Sequence, residues 1–437
     1  MRLIGRLIGL FAVAIVVAAM PVLAQAGPPM PVIGFGPLSG TGSGTDDAAT
    51  GASSVSGSGA LGPSGADMSG CSNRAVSSNF REPQFDGAPP VLPLEQLPAD
   101  AVSVPTWSGS FTTDGTTYPF TMVGTDPAAG STTTHVPVEI IPLRLDFPGS
   151  GCVLADDDMA AHLEASPLFA PTPLPAGDTQ WLDNYQRSNF WSTVSTVSPG
   201  YHLLLDPSVA PAVTLHVPGS QGLTVFNPST NRFQAIVGDD WFQHQIVSLL
   251  NSLHVSPTTL AVFVPYNTIV TDANPKDCLT PPYCGYFTGF HNAILSNTNP
   301  HAINTYTWAS YEDDGTLLPP SFDLGTEVLS HELVEWAADP FAQSARSKGQ
   351  VTDLLNTTPG WSSPYYGGSA YCANYLEVAD VVEFWPFLLY VNQIGSSTNY
   401  LLADAAFLSW FARESPSTAI GGRYDLAGIF STYSTAC

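Results

Sequence analysis

Apolar and polar residues alternate along several stretches of the chain, and this alternation predicts β-strands. Residues 107–123 alternate on both sides of the pair Asp114-Gly115, a pattern typical of a β-hairpin. Shorter stretches, some alternating and some continuously apolar, also predict strands. They lie at 136–147, 201–205, 212–216, 260–264, 268–270 and 303–310. The N-terminal half of the chain is therefore expected to be rich in β-strand.

Apolar residues three or four positions apart predict helices between these strands. The clearest helix is 240–253, whose apolar face is formed by Phe242, Ile246, Leu249, Leu250 and Leu253. Segments 156–169 and 178–191 open with acidic residues, as helix N-termini prefer, and 401–413 is a predicted final helix. Segment 340–372 reads as a loop.

A further helix begins near Asp323 or Thr326 and ends at Ala338, because the pair Asp339-Pro340 cannot continue it. The whole pattern predicts an α+β fold. Its β-rich N-terminal half precedes a half in which a strand, 303–310, leads to this helix.

The first 98 residues lack such patterns. Arg2 and Arg6 precede an apolar run at 7–20 and a small-residue cleavage site at 22–24, so residues 1–24 are predicted to be a signal peptide. Residues 25–98 are rich in Gly, Ser and Pro, which predicts a disordered linker. We expect a secreted or periplasmic protein, not held by a membrane after cleavage. Its folded parts would be a β-rich part at 99–235 and a metal-binding part at 236–437.

Charge and cysteine content narrow the partners and the compartment. Acidic residues outnumber basic residues 37 to 12, so the chain should bind neither nucleic acid nor anionic membranes electrostatically. Its 6 cysteines, an even number in an exported chain, indicate disulfides. Cys278 and Cys284 are the best candidate pair, because the Pro281-Pro282 turn brings them close.

The predicted helix that ends at Ala338 carries the sequence His-Glu-Leu-Val-Glu. His331 and Glu335 are four residues apart, so they share one helix face and could bind one metal ion. This is the H-E-x-x-H pattern of metalloprotease helices with Glu335 in place of the second His. In that pattern the middle residue, here Glu332, is the general base for a metal-activated water. Zinc is the expected ion, and calcium or another divalent metal is the alternative.

Such a site needs a third protein ligand. Glu377 is the main candidate, and if 375–380 is helical, Asp380 shares its face and could accept a hydrogen bond from the second nitrogen of His331. The roles of Glu377 and Asp380 could be exchanged, and Asp339 is a weaker candidate ligand.

Two further side chains could stabilise a transition state, namely His291 and Tyr366. A single histidine or a loop tyrosine is more often structural, and the same holds for His301.

The helix around His331 to Glu335 resembles the active-site helix of the zincin metallopeptidases, and the downstream Glu377 resembles the gluzincin arrangement. Segments 122–127, 284–291, 330–340 and 377–380 together look like a group of secreted bacterial proteins. These are remotely similar to the phosphate-induced, EXORDIUM-like family of plant cell-wall proteins. The resemblance implies a zincin-like half, with an edge strand before the active-site helix.

The resemblance implies a zincin-like helix in an exported protein, and the leading hypothesis for its function is a secreted zinc-dependent peptidase, acting on protein or peptide substrates. The alternative is a non-enzymatic secreted protein of the cell wall or surface, with a vestigial or structural metal site. A hydrolase of non-peptide substrates is a third possibility. Glu335 departs from the second histidine of ordinary zincins, so peptidase activity is a further step from metal binding.

Overall fold

The computed structural model describes residues 92–94 and 100–434 with internal gaps. The gaps are 228–231, 272–273, 277, 279–286, 297–298, 300, 313–323, 342–350, 353–355, 363–371, 383–388 and 393–398. The predicted signal peptide, nearly all of the predicted linker, Tyr366 and the Cys278–Cys284 pairing lie outside the described residues. Within them, no helix is long and apolar enough to cross a membrane.

The α-helices of the described residues are short apart from two. Their bounds are α1 Met159–Glu164, α2 Trp181–Asn189, α3 Trp191–Val194, α4 Asp239–Ser252, α5 Glu327–Ala338 and α6 Leu408–Phe411. The strands are more numerous. Their bounds are β1 Leu92–Pro93, β2 Thr106–Thr113, β3 Thr116–Val123, β4 Thr133–Phe147, β5 Cys152–Leu154, β6 Thr172–Leu174, β7 Gly177–Thr179, β8 His202–Val209, β9 Val213–His216, β10 Gly222–Asn227, β11 Arg232–Gly238, β12 Leu260–Pro265, β13 Thr268–Thr271, β14 Gly289–Leu295, β15 Ile303–Ala309, β16 Val351–Thr352, β17 Thr357–Trp361, β18 Ala373–Tyr375, β19 Leu389–Asn392 and β20 Asn399–Leu402.

The largest sheet is mixed and contains seven strands. Its order is β14-β15-β12-β4-β5, and β8 and β9 also pair with β4. β12 runs parallel to β4 and to β15, whereas β14 runs antiparallel to β15 and forms an edge of the described sheet. One sheet thus combines strands from both sides of the boundary expected at residue 235.

Helices cover both faces of this sheet. Leu260 and Val262 of β12 face a large apolar cluster that also contains residues of α1, α2 and α5. Ala261 and Phe263, on the opposite face, pack with the apolar side of α4. A strand that is covered on both faces is apolar at successive positions, which explains why β12 is buried along its whole length.

The α+β class predicted from the sequence is confirmed, and so are the hairpin β2–β3, strands β4, β12, β13 and β15, and helices α4 and α5. Other predictions are wrong. Segment 401–413 is helical only at Leu408–Phe411, and segment 340–372 contains β16 and β17. The helices expected over 156–169 and 178–191 are shorter than predicted.

The sequence did not predict β14, and this changes the position of the edge strand. Segment 303–310 was expected to be the edge, but β15 pairs with β12 on one side and with β14 on the other. The edge strand beside α5 is therefore β14. Elsewhere, Cys152, Cys278 and Cys372 are disulfide-bonded.

Candidate metal centre

Helix α5 brings the His-Glu-Leu-Val-Glu segment into the interior of the protein. Its residues Leu333 and Trp336 are fully buried in the large apolar cluster, and Glu332 and Glu335 on the same helix are only 5% and 4% exposed. The helix packs against β14 and β15. It ends at Ala338, because Pro340 favours an extended backbone at Asp339. Because α5 packs against β14, Glu332 and Glu335 lie next to this edge strand.

Hydrogen bonds fix the start of α5 against β20. The hydroxyl of Ser330 accepts a hydrogen bond from the backbone N–H of Ala403 at 2.7 Å and donates one to the carbonyl of Glu327 at 2.6 Å. The hydroxyl of Thr326 donates to the carbonyl of Leu401 at 2.7 Å. These contacts set the rotation and the position of the helix that carries His331.

The first group of possible metal ligands contains His331, Glu335 and Asp380. Nε2 of His331 lies 3.1 Å from Oε2 of Glu335 and 3.4 Å from Oδ1 of Asp380. Two ligands of a tetrahedral zinc ion, each about 2.1 Å from it, are about 3.4 Å apart. The spacing of these atoms therefore fits one small divalent ion. Asp380 faces the same nitrogen as Glu335, which matches the exchange of roles with Glu377 that the sequence allowed and not the contact with the second nitrogen of His331.

Glu335 also holds the segment that carries Asp380. Its Oε1 accepts hydrogen bonds from the backbone N–H groups of Ala379 and Asp380, at 3.1 and 3.0 Å. The helix considered for 375–380 is not formed, because β18 ends at Tyr375 and residues 378–382 form turns. One carboxylate thus uses one oxygen to position the loop and leaves the other facing His331.

A second group of possible ligands contains His291, Glu332 and Glu335, all buried. Nδ1 of His291 lies 3.4 Å from Oε2 of Glu332 and 3.9 Å from Oε2 of Glu335. His291 belongs to β14, where side chains alternate between faces. Phe290 packs into the cluster on the α4 side, so His291 points toward α5.

Gly289 makes room for this arrangement. It lies two residues before His291 and therefore on the same face of β14. A Cβ atom at Gly289 would lie 2.3 Å from Oε1 of Glu332 and 2.8 Å from Cγ1 of Val328. The absence of a side chain lets α5 approach the edge strand closely enough for Glu332 to reach His291.

Glu377 and Asp339 lie at the margin of the site. Oε2 of Glu377 is 3.9 Å from Nε2 of His291, and this oxygen is buried without a hydrogen-bond partner among the described residues. Asp339 is 1% exposed at the end of α5. Burial lowers the pKa of His291, but the hydrogen bond and charge of Glu332, with smaller effects of Glu335 and Asp339, raise it overall. The structure thus places Glu377 beside His291, not beside His331.

Histidines and carboxylates shift one another's pKa values. Burial alone would lower the pKa of His331, but the charge of Glu335 and the hydrogen bond of Asp380 outweigh burial and raise it well above its ordinary value. Burial alone would raise the pKa of Glu335, but His331 and His291 reverse this effect and lower it. Burial, then the charge of Glu335, raises the pKa of Glu377 well above its ordinary value. Protons balance part of the carboxylate charge, and a divalent cation could replace them.

No protein-family model, curated protein or solved structure matches this chain. The candidate centre therefore depends on its own geometry, and the structure contains a buried His–Glu group that could hold a metal ion. The sequence offered His291 only as a possible transition-state stabiliser. Nothing in its spacing from His331 indicated that an edge strand would bring it to Glu332 and Glu335.

Proposed function

We propose that this protein is a secreted zinc-dependent peptidase, with His331, Glu335 and Asp380 as zinc ligands and Glu332 as general base. The observation that supports this proposal is the convergence of one imidazole nitrogen and two carboxylate oxygens at 3.1 and 3.4 Å. Such a nitrogen–oxygen donor set suits zinc. Secretion is inferred from the predicted signal peptide.

The residues around the ligands suit hydrolysis. Zinc bound here would supply Lewis-acid activation of water and of the substrate carbonyl. Glu332 is the neighbour of His331, and His291 at 3.4 Å orients its carboxylate. That carboxylate would accept the proton of the attacking water and deliver it to the leaving amine. A peptide substrate is favoured because β14, the edge strand of the described sheet, lies beside Glu332, and extended peptides pair along such edges.

The test compares the wild-type chain with Glu332→Gln, which keeps the shape of the side chain but removes the base. With one zinc ion bound per chain, we expect the wild type to cleave a labelled unfolded protein. We expect cleavage by Glu332→Gln to be reduced about 100-fold or more, with that zinc ion retained. His331→Ala should lose the ion. Glu164→Gln, at an exposed position, is the control for the change of charge. No cleavage by the zinc-loaded wild type, or full cleavage by Glu332→Gln, would refute the proposal.

A structural metal site in a non-enzymatic surface protein is the second candidate. It is favoured by the double hydrogen bond from Glu335 to the backbone of Ala379 and Asp380, which gives the carboxylate a role in holding the loop. On this alternative, removal of the metal lowers the melting temperature, and no protein or peptide is cleaved at any zinc load.

A further inference from the structure

The two groups of possible ligands overlap at Glu335 and nowhere else. We propose that His291, Glu332 and Glu335 form a second divalent-cation site, and that an ion bound there withdraws Glu332 from its role as base. The second part of this proposal rests on the proposed function, whereas the binding of a second ion does not.

The geometry of the second group fits one small cation. Two ligands, each about 2.1 Å from an ion, lie at most about 4.2 Å apart. Nδ1 of His291 is 3.4 Å from Oε2 of Glu332 and 3.9 Å from Oε2 of Glu335, within this limit. The three side chains are 6%, 5% and 4% exposed, so bulk water does not compete freely for these atoms.

The shared carboxylate oxygen lies between the two histidines. Oε2 of Glu335 is 3.1 Å from Nε2 of His331 and 3.9 Å from Nδ1 of His291, while Oε1 is held by backbone N–H groups. Glu335 therefore cannot turn away from either histidine without losing those bonds. Oε2 held in this way could contact two cations, one beside each histidine.

Charge also favours a second cation. Four carboxylates, those of Glu332, Glu335, Glu377 and Asp380, surround two histidines, and every ion pair that they make with described residues is to a histidine. Histidines bind metal as neutral ligands. One divalent ion balances only two negative charges. If the carboxyl groups give up their protons on metal binding, the site, with the buried Asp339 beside it, keeps negative charge that a second ion would balance. Buried charge without a counter-charge is costly, so the site should attract a second ion.

Glu377 completes the surroundings of His291. Its buried Oε2 faces Nε2 of His291 at 3.9 Å, on the side of the ring opposite Glu332. A histidine that binds metal through one nitrogen commonly donates its other N–H to a carboxylate. Glu377 is placed to accept that hydrogen bond once Nδ1 of His291 is a ligand, and this would fix the tautomer that the second site needs.

The test counts zinc ions by titration calorimetry on the metal-free mature chain, with zinc alone as the ligand. We expect two ions per wild-type chain and one per His291→Ala chain. His301→Ala is the matched control, because His301 is 46% exposed, pairs with Asp100 and lies outside both groups. It should bind two ions. One ion in the wild type at saturating zinc, or two in His291→Ala, would overturn the proposal.

A second variant covers failure of His291→Ala to fold. Glu332→Gln replaces a charged ligand of the second group with a neutral amide and leaves His331 and Asp380 intact. We expect it to bind the first ion as the wild type does and the second at least tenfold more weakly. Unchanged affinity for both ions would contradict the assignment of Glu332 as a ligand.

Hydrolysis measured at buffered zinc concentrations separates this inference from the proposed function. Cleavage should rise as the first ion binds and fall as the second binds. Two bound ions with no cleavage at any zinc concentration would refute the proposed function and leave the second site standing. Cleavage by a wild-type chain that binds only one ion even at saturating zinc would refute the second site alone.

Discussion

Gly289 shows how a single position controls the distance between the edge strand and α5. We expect Gly289→Ala to lower the free energy of unfolding by about 1–3 kcal/mol, since a Cβ atom would overlap Glu332 and Val328 in a packed interior. Glu332 would be pushed away from His291, so the second zinc ion should bind more weakly. Chemical denaturation and zinc titration measure the two effects.

The control for this change is Gly149→Ala, because a Cβ atom at Gly149 meets no other atom within 4 Å. Both substitutions reduce the freedom of the unfolded chain in the same way. Their difference therefore isolates the overlap at Glu332. If both variants have the same free energy of unfolding and the same zinc affinities, the close approach of α5 at Gly289 does not contribute to stability or to zinc binding.

The buried carboxyl of Asp404 predicts a pH effect on stability. Oδ1 of Asp404 accepts hydrogen bonds from Ala405 and Ala427, at 2.8 and 2.9 Å, whereas Oδ2 is buried without a hydrogen-bond partner among the described residues. Burial, and then the charge of Asp425, raises the pKa of Asp404 well above its ordinary value. The folded protein therefore binds this proton more tightly than the unfolded chain does.

The sign of the effect follows from linkage. Stability from the protonated form is fully present below the unfolded pKa of about 3.9 and is lost as the pH rises through the higher folded pKa. Asp404→Asn keeps the oxygen that accepts both N–H groups and cannot ionise. We expect its stability relative to the wild type to increase as the pH rises above 4, as measured by urea unfolding at several pH values. The exposed Asp178→Asn controls for net charge, and an equal pH dependence in all three proteins would contradict the assignment.

At the scale of elements, helix α5 was the most predictable part of the molecule. Its end is set locally by Asp339-Pro340, and its apolar residues recur at helical spacing. The His-Glu-Leu-Val-Glu pattern lies within it, so the pairing of His331 with Glu335 followed from the period alone. Local rules determine both features, and for that reason the sequence was sufficient.

Strand β14 could not be predicted in the same way. It contains His291 and Asn292 next to each other, both buried, so its polar residues do not alternate with apolar ones. A strand whose one face lines a polar site and whose other face contacts the core has no simple period. The position of His291 beside Glu332 depends on the tertiary structure and not on local sequence. The same holds for Asp380, which reaches His331 because Glu335 holds its loop.

The predicted helix over 401–413 failed for a related reason. Asp404 uses its side chain to accept backbone N–H groups, one of them from Ala427, which lies far along the chain. A side chain that captures backbone donors competes with the helical hydrogen bonds that those donors would otherwise make. The alanines and leucines around it favour a helix locally, but the distant partner decides the outcome.

At the scale of the whole molecule, the sheet unites the two parts that the sequence suggested. β4, from the N-terminal part, lies between β12 and the pair β8 and β9. The large apolar cluster runs from Val104 to Ala427 and includes Leu329 and Leu333 of α5. Helix α5, which carries the candidate metal ligands His331 and Glu335, therefore packs against apolar residues from both sides of residue 235.

This arrangement predicts that residues 236–437 will not fold or bind zinc when produced alone. The fragment would lack β4, so the edge of β12 that pairs with it over Leu260–Pro265 would be unpaired, and the apolar side of α5 would lose its N-terminal partners. Circular dichroism and zinc titration of the fragment, beside residues 99–437 as the control, measure both properties. The longer chain should unfold in one transition whose midpoint falls when EDTA removes zinc, because an ion that binds only the folded state stabilises it by about 2.7 kcal/mol at 100 times its dissociation constant. A fragment 236–437 that folds and binds zinc as the longer chain does would mean that the C-terminal part supplies its own core, and that β4 is an addition to the site and not its support.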